Sequence, residues 1–256
     1  MSCVVVSEFS EGKLKKGDFL LKDAMMGTAD FLSEVLSKKR LDKRFKIIHP
    51  VKVEMSEIYY YRALRNHHYL KKFGFTYDSV EDSTYSDNFV KPDGGMIWLV
   101  DNKTHQRYPL VASEMKYQGT NKGRKAVGLS KQASGNANER VGKYAKLFET
   151  LWEFDDIFPF VVFHTGCDYH ISEKTNQPLD GSAKTQMAKL MCMNAFHPVN
   201  KVFTSQNMPR TRRQLPNTVM VKEDFWTIAE MRDTLDKVGI DSLKYYLNLI
   251  KDIESK

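Results

Sequence analysis

Cysteine is scarce in this chain. There are three, Cys3, Cys167 and Cys192, far apart and with no Cys-x-x-Cys pair. That usage excludes a disulfide framework and a structural zinc site, and it fits a reducing cytoplasm. Long apolar runs are missing as well: no window approaches the roughly eighteen apolar residues of a membrane span, so none is expected. Val4-Val5-Val6 gives way at once to acidic and polar residues, so the N-terminus lacks the long apolar core of a signal peptide. Spaced metal ligands are lacking around His67-His68, and neighbouring histidines on a helix point apart, which reads as a solvated helical face. Repeats and low-complexity linkers are absent, so nothing divides the chain. Acidic residues are in deficit, with 39 Lys plus Arg against 32 Asp plus Glu and a net charge of +7. A surface of that sign attracts polyanions.

What is present is enough for one substantial core. With 256 residues, 41% of them hydrophobic, a single domain over residues 1–256 is expected. The N-terminal third reads as helical. Phe31, Leu32, Val35 and Leu36 fall at helical spacing within Thr28 to Lys43, and a second helix over Ser56 to Phe73 opens on a cap and stops at Gly74. Tyr59, Tyr60 and Tyr61 on that helix read as buried aromatic packing rather than as a base-stacking surface. Residues 76–88 are polar and acidic, a loop.

The middle third carries apolar runs at Met96 to Val100, Tyr108 to Lys116 and Phe160 to His164. Between the last two, Ala137, Val141, Tyr144, Ala145, Phe148, Leu151 and Trp152 form a helical stripe. Strand, strand, helix, strand implies an α/β core. In the last third, Asp224 to Val238 and Asp241 to Ile253 read as two amphipathic closing helices, packed on the sheet or on a partner subunit.

Residues 91–119 read KPDGGMIWLVDNKTHQRYPLVASEMKYQG. Alternate side chains of a strand share a face, so Glu114 and Lys116 point one way and Met115 the other. If the strand that follows Asp93 lies alongside, two carboxylates and an ammonium converge. Two hard oxygen ligands suit Mg²⁺, which takes one or two carboxylates and completes its shell with water and phosphate. A lysine beside the ion can orient the attacking water, a recipe for metal-assisted phosphodiester hydrolysis. The plain alternative is a Pro-Asp-Gly-Gly hairpin turn with a surface ion pair on an edge strand.

A second segment, Gln132-Ala133-Ser134-Gly135-Asn136-Ala137-Asn138-Glu139-Arg140, opens the long helix with groups that read base edges. Asn bonds bidentately to adenine, Arg donates to purine acceptors, Glu accepts from exocyclic amines, and Ala137 offers a methyl to thymine. The alternative is an ordinary first turn capped by Asn136, with Glu139 as its capping-box partner. Between the two segments, Lys122, Arg124, Lys125 and Lys131 lie among glycines, as a basic arm along a nucleic-acid backbone or as a solvated loop. Arg210, Arg212 and Arg213, between Pro209 and Pro216, admit the same two readings.

Together, KPDGG, Glu114-Met115-Lys116-Tyr117-Gln118-Gly119 and Gly135-Asn136-Ala137-Asn138-Glu139-Arg140 resemble, in order and spacing, the EcoRI-type type II restriction endonucleases of the PD-(D/E)xK nuclease superfamily. Phe158-Pro159-Phe160-Val161-Val162-Phe163, with Gly166 after it, is similar to that family's next core strand. The resemblance covers residues 91–166 well and the flanks poorly. It implies a restriction-endonuclease-like α/β core, a central mixed sheet flanked by helices. Residues 91–166 would form the catalytic and recognition core, with 1–90 an N-terminal helical elaboration and 167–256 a C-terminal one. The implied activity is Mg²⁺-dependent hydrolysis of double-stranded DNA at a palindrome by a homodimer whose recognition helices meet at the dimer axis. The implied setting is a bacterial or archaeal cytoplasm, beside a DNA methyltransferase that protects the host's own sites.

Residue by residue, the resemblance implies that Asp93, Glu114 and the backbone carbonyl of Met115 hold the ion while Lys116 positions water. Asn136, Ala137, Glu139 and Arg140 would read an AATT centre. Gln118, Lys122, Arg124, Lys125, Arg210, Arg212 and Arg213 are candidate contacts to the DNA backbone. Gln132, Ala133 and Ser134 stand where the outer base pair is read. Family members that read CAATTG carry an Arg where this chain has Ser134, so GAATTC, RAATTY and AATT alone stay open. The arm after Gln118 is shorter than in EcoRI itself. A structure-selective or repair nuclease of the same fold, which needs only Asp93, Glu114 and Lys116, and a non-catalytic DNA-binding protein are the competing readings.

Overall fold

A computed structural model describes residues 4–54, 89–117, 155–165, 218–222 and 225–255, with scattered positions within 57–65, 126–128 and 144–152. In chain order its elements are α1 (Val4–Lys38), β1 (Phe45–Ile48), β2 (Val53–Glu54), β3 (Phe89–Val90), β4 (Met96–Asp101), β5 (Arg107–Tyr117), β6 (Phe160–Thr165), β7 (Thr218–Lys222) and α2 (Ile228–Glu254). Five strands form one sheet in the order β1-β4-β5-β6-β7, and β2 pairs with β3 apart from it. The β1–β4 and β4–β5 pairs are antiparallel, while β5–β6 and β6–β7 are parallel. The sheet is therefore mixed, as expected.

Its centre follows from the apolar runs. Every residue of β4 is buried, a strand covered on both faces rather than one that alternates. The three expected strands are present and each runs one residue or so further than its apolar stretch. Strands β1 and β7, which flank them, are additions to the expected sheet.

The helices correct the sequence reading at two places. The first helix begins at Val4 and ends at Lys38 instead of spanning Thr28 to Lys43. It stops because Arg40 turns left-handed, at φ 56°, and the Leu41 N–H returns to the Leu36 carbonyl at 2.9 Å. No glycine marks that cap. The closing segment is one continuous helix, not two. Gly239, at the expected break, lies inside α2 and serves close packing: a Cβ there would sit 2.9 Å from Leu32 Cδ1 of α1. Thr28 Oγ1 donates to Asp236 Oδ1 at 2.6 Å, one turn earlier along the same contact. The helix opens on a capping box in which Thr227 and Glu230 satisfy each other's backbone N–H.

Positions 57, 58, 60, 61 and 65 are helical, in line with the expected second helix. Tyr61 is buried as expected, but Tyr60 is 63% exposed, so the packing role belongs to Tyr61 and not to Tyr60. Around Tyr61 lies a buried polar knot. The Asp155 carboxylate accepts from Tyr61 Oη at 2.5 Å, from Arg65 Nε at 2.9 Å and from Tyr246 Oη at 3.3 Å. Burial pushes the Asp155 carboxyl above its usual range, and Arg65 opposes that push. The knot ties Tyr61 and Arg65, the bend at Asp155, and α2 together. Phe148, Leu151 and Trp152 of the expected stripe are buried, and the Trp152 indole donates to the Pro109 carbonyl of β5 at 3.2 Å. Tyr59, His67, His68, residues 76–88 and the three cysteines lie outside the described residues.

Candidate active site

The antiparallel register of β4 on β5, with Met96 opposite Ala112, brings the turn that precedes β4 against the C-terminal half of β5. The Gly94 N–H donates to the Ser113 carbonyl at 3.0 Å, and the Gly95 N–H closes the turn on the Pro92 carbonyl at 2.9 Å. Gly95 sits at φ 76°, and a Cβ on it would lie 2.8 Å from the Pro50 carbonyl oxygen and 2.9 Å from His49 Nε2. Only glycine meets both demands. His49 clamps the turn from outside: its Nε2–H donates to the Gly94 carbonyl at 2.7 Å. Burial lowers the His49 pKa, and the Gly94 carbonyl resists only in part.

Within this frame Asp93, Glu114 and Lys116 meet. The Asp93 N–H donates to Glu114 Oε2 at 2.9 Å, and the Met115 N–H donates to Asp93 Oδ2 at 3.1 Å. Lys116 Nζ lies 3.4 Å from Asp93 Oδ2 and donates to Glu114 Oε1. The Glu114 side chain is 1% exposed, that of Lys116 15% and that of Asp93 29%, so the cluster opens outward from a buried floor. The surface ion pair on an edge strand is thereby ruled out. Strand β5 is interior, between β4 and β6, and Glu114 is buried.

Burial dominates the electrostatics of the floor. It raises the Glu114 pKa to about 7, with the Asp93 charge adding and the Lys116 charge opposing. For Lys116 burial works the other way, but the Glu114 and Asp93 charges outweigh it and the ammonium is held more firmly than usual. One face of that ammonium is covered by an aromatic ring, with Nζ 5.2 Å from the Tyr144 centroid.

The donor set fits a hard divalent ion. Two carboxylates converge on one positive group, the Lys116 ammonium, and among the described residues no cluster of three or more His, Cys, Asp or Glu forms a fuller cage. Mg²⁺ asks for that few protein oxygens, whereas zinc asks for three or four nitrogen or sulfur ligands. A cavity of about 280 Å³, lined by Trp98, His105 and Arg107 among others, shares no lining residue with this cluster.

His49 and Tyr144 are the additions the structure makes. Tyr144 was legible only as part of an apolar stripe. His49 carried no signal beyond the need of two adjacent glycines for a close neighbour. The expected base readers and backbone contacts, namely Gln132, Ala133, Ser134, Asn136, Ala137, Glu139, Arg140, Gln118, Lys122, Arg124, Lys125, Arg210, Arg212 and Arg213, lie outside the described residues.

Among curated proteins no individual sequence matches the chain. The family model described as restriction endonuclease EcoRI matches residues 80–252. That stretch takes in most of the chain, including the Asp93 turn, β5 and its carboxylate–lysine cluster, and α2 almost to its end, so the chain belongs to the EcoRI family of restriction endonucleases.

Proposed function

We propose that this protein is a Mg²⁺-dependent type II restriction endonuclease that cuts both strands of a palindrome with an AATT centre, and that Asp93, Glu114 and Lys116 carry the hydrolysis. The observation that carries this reading is the meeting of two carboxylates and one ammonium on interior strand β5 in a chain of a DNA-cleaving family.

Asp93 and Glu114, with the Met115 carbonyl, would hold Mg²⁺, which when bound supplies a Lewis acid for the scissile phosphate and lowers the pKa of water. The chain's own residues do the rest. The backbone N–H of Asp93 fixes one Glu114 oxygen and the N–H of Met115 fixes one Asp93 oxygen, so neither carboxylate rotates freely. Lys116 keeps its proton, orients the attacking water by hydrogen bonding and offsets the charge that builds on the phosphate. Nothing in the cluster serves as a covalent nucleophile, which favours direct in-line attack by water.

Asn136, Ala137, Glu139 and Arg140 are proposed as readers of the AATT centre, with Gln132, Ala133 and Ser134 facing the outer pair. Two active sites related like the two DNA strands call for a two-fold homodimer. A partner methyltransferase in a bacterial or archaeal cytoplasm completes the proposed system.

Digestion of plasmid DNA with Mg²⁺, followed by sequencing of the termini, tests the reading. Discrete ends centred on AATT are expected. A smear or branch-specific nicking supports the repair-nuclease reading, and intact plasmid supports the non-catalytic binder. Light scattering at micromolar protein is expected to give twice 29.6 kDa; a strict monomer both free and on DNA contradicts the paired-helix arrangement.

A further inference from the structure

Among the described residues, every charged contact of the Lys116 ammonium is one that a divalent cation would contest. Its partners are Glu114 Oε1 and Asp93 Oδ2, the two carboxylates whose geometry suits Mg²⁺. An ammonium that shares its counter-charges with a competing cation needs another hold if it is to stay beside the scissile bond. The Tyr144 ring supplies one. A ring face attracts a cation through its quadrupole within about 6 Å of the centroid, and Lys116 Nζ lies 5.2 Å from that of Tyr144. Mg²⁺, a hard ion that takes oxygen ligands, would not compete for the ring face.

The ring is itself held from behind. Tyr144 stacks on Phe148, with centroids 6.4 Å apart and planes 20° from parallel. Phe148 is fully buried and packs on Phe160 of β6 at 4.8 Å and on Trp152 at 5.9 Å. Strand β6 runs parallel beside β5 with His164 level with Lys116. The ring and the lysine are thus fixed to adjacent strands of one sheet, one through the helix and the other directly.

Resting on the reading of Lys116 as the hydrolytic lysine, we propose that Tyr144 is a positioning residue that holds the Lys116 ammonium in the site through its ring face, independently of the two carboxylates. Tyr144 also lies four residues beyond Arg140 in the sequence, on the helix that the apolar stripe predicts to open with the proposed base readers.

The test separates ring from hydroxyl, and position from folding. Tyr144→Phe keeps the ring and is expected to retain kcat. Tyr144→Leu is expected to lose about two- to thirtyfold in kcat, the range of one cation–π contact, with KM and DNA affinity unchanged. Phenylalanine with one, two and three ring fluorines at position 144 keeps the shape while draining the quadrupole, and kcat is expected to fall stepwise along that series. A readout independent of cleavage comes from protein labelled with [ε-¹³C]lysine and free of metal. The Lys116 signal, identified by its absence in Lys116→Ala, is expected upfield in wild type and in Tyr144→Phe but not in Tyr144→Leu. An unshifted Lys116 signal, a fluorine series with constant kcat, or a Tyr144→Phe loss equal to that of Tyr144→Leu overturns the proposal. If Tyr144→Leu fails to fold, the fluorinated series decides alone. Absence of cleavage by the wild type would instead remove the nuclease reading, and the NMR shift would still report on the ring.

Discussion

The Asp93 N–H donates to Glu114 Oε2 while the Asp93 carboxylate accepts from the N–H of the residue after Glu114. Each carboxylate thus accepts a backbone N–H from the segment that carries the other acid. The frame beneath them, the β4–β5 ladder and the Gly94 N–H on the Ser113 carbonyl, is backbone alone and does not depend on either side chain.

Lys116→Ala and Asp93→Ala are each expected to lower cleavage by about a hundredfold or more, the scale of a positioned proton-handling or charge-stabilising group. Both proteins should stay folded, because both side chains lie at the rim of the core. Anisotropy with labelled cognate DNA in the absence of Mg²⁺ should show binding retained by Lys116→Ala and retained or tightened by Asp93→Ala. Near-wild-type cleavage by Lys116→Ala would remove this lysine from the mechanism.

The strands that carry this cluster were legible because their apolar runs are long and unambiguous. Those at the sheet margins were not. Phe45 to Ile48 is half-buried, with an exposed lysine in its middle, and four such residues look the same as the end of a helix. Thr218 to Lys222 is only one residue longer and follows a proline- and arginine-rich stretch. Gly239 falls in the gap expected between the two closing helices, and a glycine that stops a helix and one that admits a neighbouring helix look alike in sequence; only Leu32, two hundred residues earlier, tells them apart. The start of α2 was also missed: it was expected at Asp224, whereas the helix is capped by Thr227, whose capping-box partner Glu230 stands three residues on. At the site itself, the acid pair and lysine were readable from local spacing, whereas His49 and the ring of Tyr144 reach it only through the fold.

A pH test isolates Glu114. Its carboxyl titrates at about 7 in the folded protein against 4.5 ordinarily, so the folded state holds the proton more tightly than the unfolded chain. The metal-free protein therefore loses stability through this group as pH climbs from about 4.5 to about 7. Glu114→Gln has no proton to lose. In chelator, the stability of the variant relative to wild type should rise across that window, whatever its activity. Asp93, Lys116 and Tyr144 face the group in both proteins and largely cancel in the difference. Calorimetry that returns a difference independent of pH would contradict the assignment of burial as the dominant cause.

Gly95→Ala separates backbone strain from collision. Gly95 and Gly128 have nearly equal φ, 76° and 71°, but a Cβ at Gly128 would meet nothing within 4 Å while one at Gly95 would meet Pro50 and His49. Gly128→Ala is expected to cost about 1–2 kcal/mol, the left-handed penalty alone. Gly95→Ala is expected to cost more and to impair cleavage, because the turn that carries Asp93 must shift. Equal costs in urea denaturation, with activity intact in both, would show that the His49 clamp is dispensable.

Asp155→Asn removes the carboxylate charge that faces the buried Arg65 guanidinium at 2.9 Å, and a loss of about 3–5 kcal/mol is expected. Replacing the pair together, as Arg65→Met with Asp155→Leu, should recover much of that loss, since burying two apolar groups avoids desolvating two ions. A double variant less stable than Asp155→Asn would mean that the tyrosines around Asp155 demand the acid for themselves.

The hairpin of β4 and β5 has one more consequence. Asp93, Glu114 and Lys116 all come from a single contiguous stretch of chain, while the proposed readers of sequence belong to the long crossover that leaves β5 and returns as β6. On the proposed function, cutting and reading are thus inherited by separate segments of chain. Target preference would then drift, or be redesigned, by rewriting the crossover, while the hairpin would go on hydrolysing whatever phosphate the new reader delivers. On the same reading Tyr144 marks the limit of that freedom, because it is the point at which a change made for reading would be felt by the proposed hydrolytic lysine.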